Sequence, residues 1–449
     1  MRARREHGRM TRSSAQSPRA ATSFSRRPDE RPRSRDRPGP ALGRRAFTRG
    51  GAGLGAATLL AGTGLAGGPA GTAHAAGAEA AGAATAGTGR TAPAPHWAQG
   101  VRRELSRLVA EQGLPGAQAV ITDARGRVTE VTAGAGDLAT GRPFPHRARL
   151  RVASNTKMFV ATVVLQLAAA GRIELEAPVA RYLPGVLPET DGSRRVRVRH
   201  LLQHTSGLPE LPESLSEHTP GYHRPEQVAE ISLRQPPRFA PGARWEYCNL
   251  GYILLGMVVE RVTGRSCEQE VRRRVTARLG LEHTYWPRWP EQRLRGPHPS
   301  AYRRTADGGH RPVTFVNTSV IGAAGALVST GADLTVFLRG LLSGRLLPSG
   351  PLARMKDGVP CDIARGAVYG LGLARYPLSG VVGATGYWGH GGTVEGTRTR
   401  GGMTDDGRAV LVAVNEVSPR QDGSQAVVDT VERIFRRLPH GRPAGEGER

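Results

Sequence analysis

Lysine is nearly missing from this chain. Of its 63 Lys and Arg residues, only Lys157 and Lys356 are lysine. Cysteine is scarce too, with three residues at 248, 267 and 361, and aromatic residues make up 5% of the chain. Those cysteine spacings form no metal-ligand pattern and no dense disulfide framework, and an odd number leaves at least one thiol free or bonded to another chain. No stable membrane span is expected, because the weakly apolar stretch that runs to Gly71 is too rich in glycine. Acidic residues number 38 against the 63 basic ones, for a formal charge of +25. Residues 1–75 carry 15 Arg against four acidic residues, which leaves +14 spread over the 374 that follow. That remainder has no run of interleaved aromatics and cations. A nucleic-acid binder would cluster its charge on one element, so nucleic acid is not an expected partner. A net-positive surface suits a polyanionic setting such as a cell envelope by electrostatic steering.

Composition also divides the chain. Residues 1–43, rich in Arg, Ser and Pro, lack the apolar side chains for a core and read as a disordered basic leader. Residues 44–75 hold Arg44-Arg45, a modest apolar stretch and Ala73-His74-Ala75, which together resemble a twin-arginine export signal. A merely low-complexity leader is the alternative. Export of this kind predicts a secreted or cell-envelope protein. Residues 76–97 are Ala, Gly, Thr and Pro-rich and read as a linker, residues 98–438 as the folded domain, and 439–449 as a disordered tail.

The folded part predicts an α+β fold. A helix with Val101, Leu105, Leu108 and Val109 on one face ends at Gly113. Strands Ala117–Thr122 and Arg127–Ala133 follow, joined by an Asp123–Gly126 turn. The far end mirrors this: strands 397–403 and 409–414 meet at Asp406-Gly407, and a last helix carries Val427, Val431, Ile434 and Phe435. An antiparallel sheet covered by the terminal helices accounts for both ends, with a mostly helical region over roughly 150–360.

One of the two lysines stands three residues after a serine, in Ser154-Asn155-Thr156-Lys157, ahead of a helical face of Met158, Phe159, Val163, Leu165 and Leu167. Residues three apart on a helix are neighbours. The first turn favours an alkoxide and disfavours an ammonium ion, and lysine, unlike arginine, loses its proton when desolvated. Ser154 is therefore a candidate nucleophile and Lys157 its base. Two further segments have suitable chemistry, although packing alone accounts for either one. In Tyr247-Cys248-Asn249, alternation along an extended loop aims the phenol and the amide the same way; the phenol can shuttle a proton and the amide can hold a carbonyl or the amine. In Trp388-Gly389-His390-Gly391-Gly392-Thr393 the glycines mark a strand that another backbone or a substrate approaches closely.

Ser-x-x-Lys, Tyr-x-Asn and His-Gly-Gly, separated by 93 and 143 residues, resemble the serine β-lactamase and penicillin-binding family. Histidine at the third motif is similar to secreted D-alanyl-D-alanine carboxypeptidases with a class C β-lactamase-like fold. Arg199–Leu208, Gly322–Thr330 and Tyr369–Leu373 extend the resemblance over about residues 100–437. It implies a β-lactamase/transpeptidase-like fold and an acyl-enzyme on Ser154, with Lys157 and Tyr247 relaying the proton and Asn249 holding Lys157 and the substrate amide. It further implies an oxyanion met by the backbone N–H groups of Ser154 and Thr393, and His390 lending positive charge or a hydrogen bond near a substrate carboxylate. Gly391 and Gly392 line that strand, and Arg375 is a further candidate for the carboxylate. No metal or organic cofactor is expected, and a monomer is. The implied activity is a carboxypeptidase acting on peptidoglycan stem peptides. A β-lactamase, an esterase or a D-amino-acid amidase would use the same residues, and a non-catalytic envelope protein that binds peptidoglycan or a β-lactam is the rival of another class. The chain departs from the family pattern at Cys248, where Ser or Ala is usual, and at Gly391, which supplies no hydroxyl. It also lacks a counterpart of the class A deacylating glutamate. His204 reads as structural, at a helix end.

Overall fold

The two hairpins at opposite ends of the folded sequence pair side by side in one sheet. The computed structural model describes residues 95–313 and 315–439. The expected leader and export signal, most of the linker and the end of the tail lie outside these residues. Helix α1 (His96–Gln112) begins two residues inside the segment read as linker and stops at Gly113, whose φ of 63° is the left-handed cap that glycine adopts without strain. Strands β1 (Gly116–Thr122) and β2 (Val128–Gly134) form the first hairpin. Its turn is tied by the Asp123 carboxylate, which accepts the N–H groups of Arg125 and Arg127.

The remaining strands of the sheet are β3 (Val359–Pro360), β4 (Val368–Tyr369), β5 (Ala374–Pro377), β6 (Gly386–Gly389), β7 (Gly392–Val394), β8 (Thr397–Thr404) and β9 (Ala409–Val414). They run antiparallel in the order β2-β1-β9-β8-β6-β5-β4-β3, with β7 also paired to β8. Central strands β1 and β9 are buried along their whole length, so both sheet faces are covered. Alternation sorts the side chains. Val410, Val412 and Val414 pack with α1 and the last helix, α6 (Gly423–Arg437), whereas Ala409, Leu411 and Ala413 face the helical region.

That region is built around α2 (Thr156–Ala169), α3 (Asn249–Thr263), α4 (Thr318–Gly325) and α5 (Gly331–Leu342). The sequence predicts one apolar face on α2. Instead every residue from Thr156 to Leu165 is buried, because α3, α4 and the short helices Cys267–Val271 and Ser349–Lys356 surround the helix. Phe159 stacks on Phe337 of α5 with ring centroids 3.9 Å apart. The three cysteines are free thiols.

Candidate functional site

The nucleophile candidate sits on a strained turn. Ala153 has φ 46°, a left-handed conformation that costs an L-residue about 1–2 kcal/mol, and Ala153–Asn155 form a 3-10 turn leading into α2. Three hydrogen bonds hold it. Asn155 Nδ2 donates to Val152 O at 2.8 Å and to Thr399 Oγ1 of β8 at 2.8 Å, and Thr156 Oγ1 donates to Ala153 O at 2.7 Å. The turn and β7 press together: a Cβ on Gly392 would lie 2.0 Å from Val152 O. Only glycine lets the two backbones approach this closely, which sets the Thr393 end of the strand beside Ser154.

One turn into the helix region, the Lys157 amine is fully buried. Its Nζ lies 3.3 Å from Ser154 Oγ, 2.7 Å from Asn249 Oδ1 and 2.8 Å from Ala324 O. It also lies 4.8 Å from the ring centre of Tyr247. Burial pushes the amine down to about 7, against the opposing pull of the Glu210 carboxylate. Asn249 Oδ1 and Ala324 O can only accept. A neutral amine therefore spends its two hydrogens on them and turns its lone pair to the Ser154 hydroxyl.

The Tyr-x-Asn segment is held at a helix start. Cys248 is extended (φ −145°, ψ 111°) and Asn249 is the first residue of α3. Glu210, half-buried, accepts the Asn249 N–H at 2.7 Å. Burial pushes the Tyr247 phenol up, with its hydrogen bond to Ser154 opposing, so it is a protonated donor at neutral pH. Burial likewise pushes the Cys248 thiol up to about 12, and its Sγ lies 3.4 Å from Pro209 O. That thiol is a neutral packing group.

Strands β6 and β7 would be one strand but for an unpaired break at His390-Gly391, opposite Arg400 and Gly401. His390 is buried there, which pushes its imidazole down to about 3 with Lys157 adding to the effect. Burial therefore opposes the positive charge expected of His390 and favours its other expected role, a hydrogen bond. Its Nε2 meets Tyr369 Oη at 2.9 Å and its Nδ1 meets Gly391 O at 2.5 Å. The cation of this region is Arg400, whose Nη1 donates to Thr399 O and Nη2 to Ser424 Oγ, both at 2.9 Å. Among the described residues no carboxylate pairs with it. A Cβ on Gly391 would lie 2.0 Å from Arg400 Nη1, so the guanidinium fills the space that a side chain at 391 would take.

These groups converge. One cavity of about 280 Å³ is lined by Ser154, Tyr247, Asn249, Ile363, Tyr376, His390, Gly391, Gly392, Thr393 and Arg400. Lys157 lies behind this lining, in contact with Ser154 and Asn249, and Arg375 is the sequence candidate left outside the site. It lies on β5 next to Tyr376, and alternation places the two on opposite sheet faces. Its guanidinium donates to Thr385 Oγ1 at 2.8 Å instead. Sequence reasoning missed Glu210, Tyr376 and Arg400. For Arg400 there was a signal, since Thr-Arg-Thr-Arg brings two cations onto one face of a strand that then enters the core. Among the described residues no group of three or more His, Cys, Asp or Glu side chains is placed to hold a metal ion.

A family model described as Beta-lactamase matches residues 101–430. Among curated proteins, the chain is 36% identical over 188 residues to the esterase EstB of Burkholderia gladioli, covering 39% of this chain and 48% of that protein. The chain thus spans about half of the esterase's length. It is 28% identical over 300 residues to penicillin-binding protein 4 of Amycolatopsis lactamdurans, covering 66% of this chain and 74% of that protein. Among solved structures, a D-stereospecific amidohydrolase from Streptomyces sp. matches with a TM-score of 0.66 and 34% identity, over 75% of this chain and 98% of that one.

Proposed function

The chain belongs to the Beta-lactamase family of serine hydrolases, and from that premise we propose that it is a D-alanyl-D-alanine carboxypeptidase acting on peptidoglycan stem peptides. The observation that carries this choice within the family is Arg400, a cation in the same cavity as Ser154 that has no carboxylate partner among the described residues. A C-terminal D-alanine brings the carboxylate it lacks; an amide or a simple ester does not.

In this reading Ser154 Oγ bonds to the carbonyl carbon of the penultimate D-alanine as its proton passes to the Lys157 lone pair. The oxyanion is met by the N–H groups of Ser154 and Thr393. Collapse breaks the C–N bond, and the leaving amine takes its proton from Tyr247, which Lys157 replenishes. Water then attacks the ester and Ser154 recovers its hydroxyl. The cavity lining contains no Asp or Glu, so no carboxylate base stands ready to speed hydrolysis of a bulky acyl-enzyme. A β-lactam should therefore form a long-lived adduct.

The deciding measurement is D-alanine release from diacyl-Lys-D-Ala-D-Ala beside its C-terminal amide. Release from the acid, little turnover of the amide, and loss of both in Ser154→Ala are expected. Release by Ser154→Ala at the wild-type rate removes the mechanism. The likeness to a D-stereospecific amidohydrolase favours a second reading, hydrolysis of D-amino-acid amides; faster turnover of D-alanine amide than of the peptide acid would establish it. Export is part of the first reading: residues 1–97 fused to a folded reporter should carry it out of a bacterial cytoplasm, and Arg44→Lys with Arg45→Lys should hold it inside.

A further inference from the structure

Two side chains outside the cavity connect its two halves. His204 follows the short helix Val198–Gln203 in a left-handed conformation, φ 61°, which is costly for a non-glycine residue. It is 1% exposed, and its ring stacks on Tyr247 with centroids 4.2 Å apart. It also grips the Tyr-x-Asn segment by backbone: His204 O accepts the Glu246 N–H at 2.9 Å, and Nδ1 accepts the Cys248 N–H at 3.1 Å. On its other side Nε2 lies 3.1 Å from Tyr369 Oη, which lies 2.9 Å from His390 Nε2, and His390 Nδ1 lies 2.5 Å from Gly391 O.

The two ends of this relay fix which nitrogen of each neutral ring carries its hydrogen. Cys248 N–H can only donate, so His204 Nδ1 is bare and Nε2 carries the hydrogen that goes to Tyr369 Oη. Gly391 O can only accept, so His390 Nδ1 carries a hydrogen and Nε2 is bare. The bare His390 Nε2, 2.9 Å away, is then an acceptor for the Tyr369 hydroxyl hydrogen. A second proton on His204 would set donor against donor at the Cys248 N–H, and one on His390 Nε2 would turn the Tyr369 hydroxyl away to Tyr252 and break the relay's direction. Tyr252 Oη, which donates to Leu202 O at 2.8 Å and keeps its lone pairs free, is the competing acceptor for the Tyr369 hydrogen.

We infer that His204 and Tyr369 are positioning residues: with His390 they form a neutral, one-directional hydrogen-bond relay that locks the Tyr247–Asn249 proton-transfer segment to the Gly391–Thr393 oxyanion strand. The inference rests on the acyl-transfer reading of the site. By holding the Gly391 carbonyl at the break between β6 and β7, the relay sets the peptide planes that follow it, including the N–H of Thr393. A misaligned donor loses transition-state stabilisation and leaves ground-state binding largely intact.

The test uses the full-length protein labelled with 15N-histidine. Long-range 1H–15N spectra at pH 7, assigned with His204→Asn and His390→Asn, should give opposite neutral tautomers, Nε2–H for His204 and Nδ1–H for His390. A cationic ring, or the same tautomer at both, overturns the relay whatever the substrate is. Pre-steady-state acylation by p-nitrophenyl acetate supplies the second readout. Tyr369→Phe keeps the ring and should slow acylation by about tenfold to a hundredfold with little change in KM. His204→Ala should do likewise, and the double variant should lose no more than the worse single one. Unchanged acylation in Tyr369→Phe, or losses that multiply in the double variant, count against the inference. If His204→Ala does not fold, the tautomers and Tyr369→Phe decide. Acylation that survives Ser154→Ala would instead remove the catalytic reading and leave the tautomer result standing.

Discussion

Lys157 is the residue on which the chemistry turns, and its environment gives it a pH signature. Its amine is pushed down to about 7 by burial, so it acts as a base above that pH and is lost as a base when pH falls through it. The acylation rate should fall about tenfold per pH unit below pH 7 and level off above. Stopped-flow acylation by p-nitrophenyl acetate from pH 5 to 9 checks this, and a flat profile would exclude the lysine as base. Lys157→Arg keeps a cation that cannot deprotonate and should abolish acylation. Gly391 and Arg400 form a second pair at this scale. Gly391→Ser puts a Cβ where the guanidinium lies, so it should remove any preference for a peptide acid over its amide. The expected change is about tenfold or more in relative KM, since a hydrogen bond to a charged group contributes about 1.5–3 kcal/mol.

At the scale of elements, the site is a junction between a strained turn and a broken strand. The helix dipole at the start of α2 bears on Ser154, and β7 presses on the same turn at Val152 and Asn155. Gly392→Ala tests the junction. Its Cβ would meet Val152 O at 2.0 Å and Asn155 Nδ2 at 2.9 Å, so the strand must retreat from the turn. Loss of an oxyanion donor costs about 10²–10³ in rate, and kcat for D-alanine release should fall in that range while the protein stays folded by circular dichroism. The same strand logic explains Arg375. One residue's offset on β5 sends Tyr376 to the cavity and Arg375 to the other face.

Across the whole molecule, the terminal helices close the sheet face remote from the helical region. Glu104 of α1, 5% exposed, accepts Arg433 Nε at 2.8 Å and Arg437 Nε at 2.9 Å from α6. Removing the carboxylate leaves a half-buried cation, Arg433, and an exposed one, Arg437, without their shared partner. Glu104→Ala should lower the unfolding free energy by about 1–3 kcal/mol with little change in kcat for D-alanine release. Urea denaturation alongside the peptide assay separates the two effects.

Much of this was readable from residues in a row. Alternation marked the hairpins, the unusual lysine marked the nucleophile's neighbour, and glycines marked the strand pressed against Ser154, because each of these is a local constraint on backbone or period. What the sequence could not say is which distant groups face each other. The neutral His390, the selection of Arg400 over Arg375, and the link from His204 through Tyr369 to Gly391 depend on burial and on which sheet face a residue meets. Those quantities exist only once strands from both ends of the chain and helices from its middle are packed together.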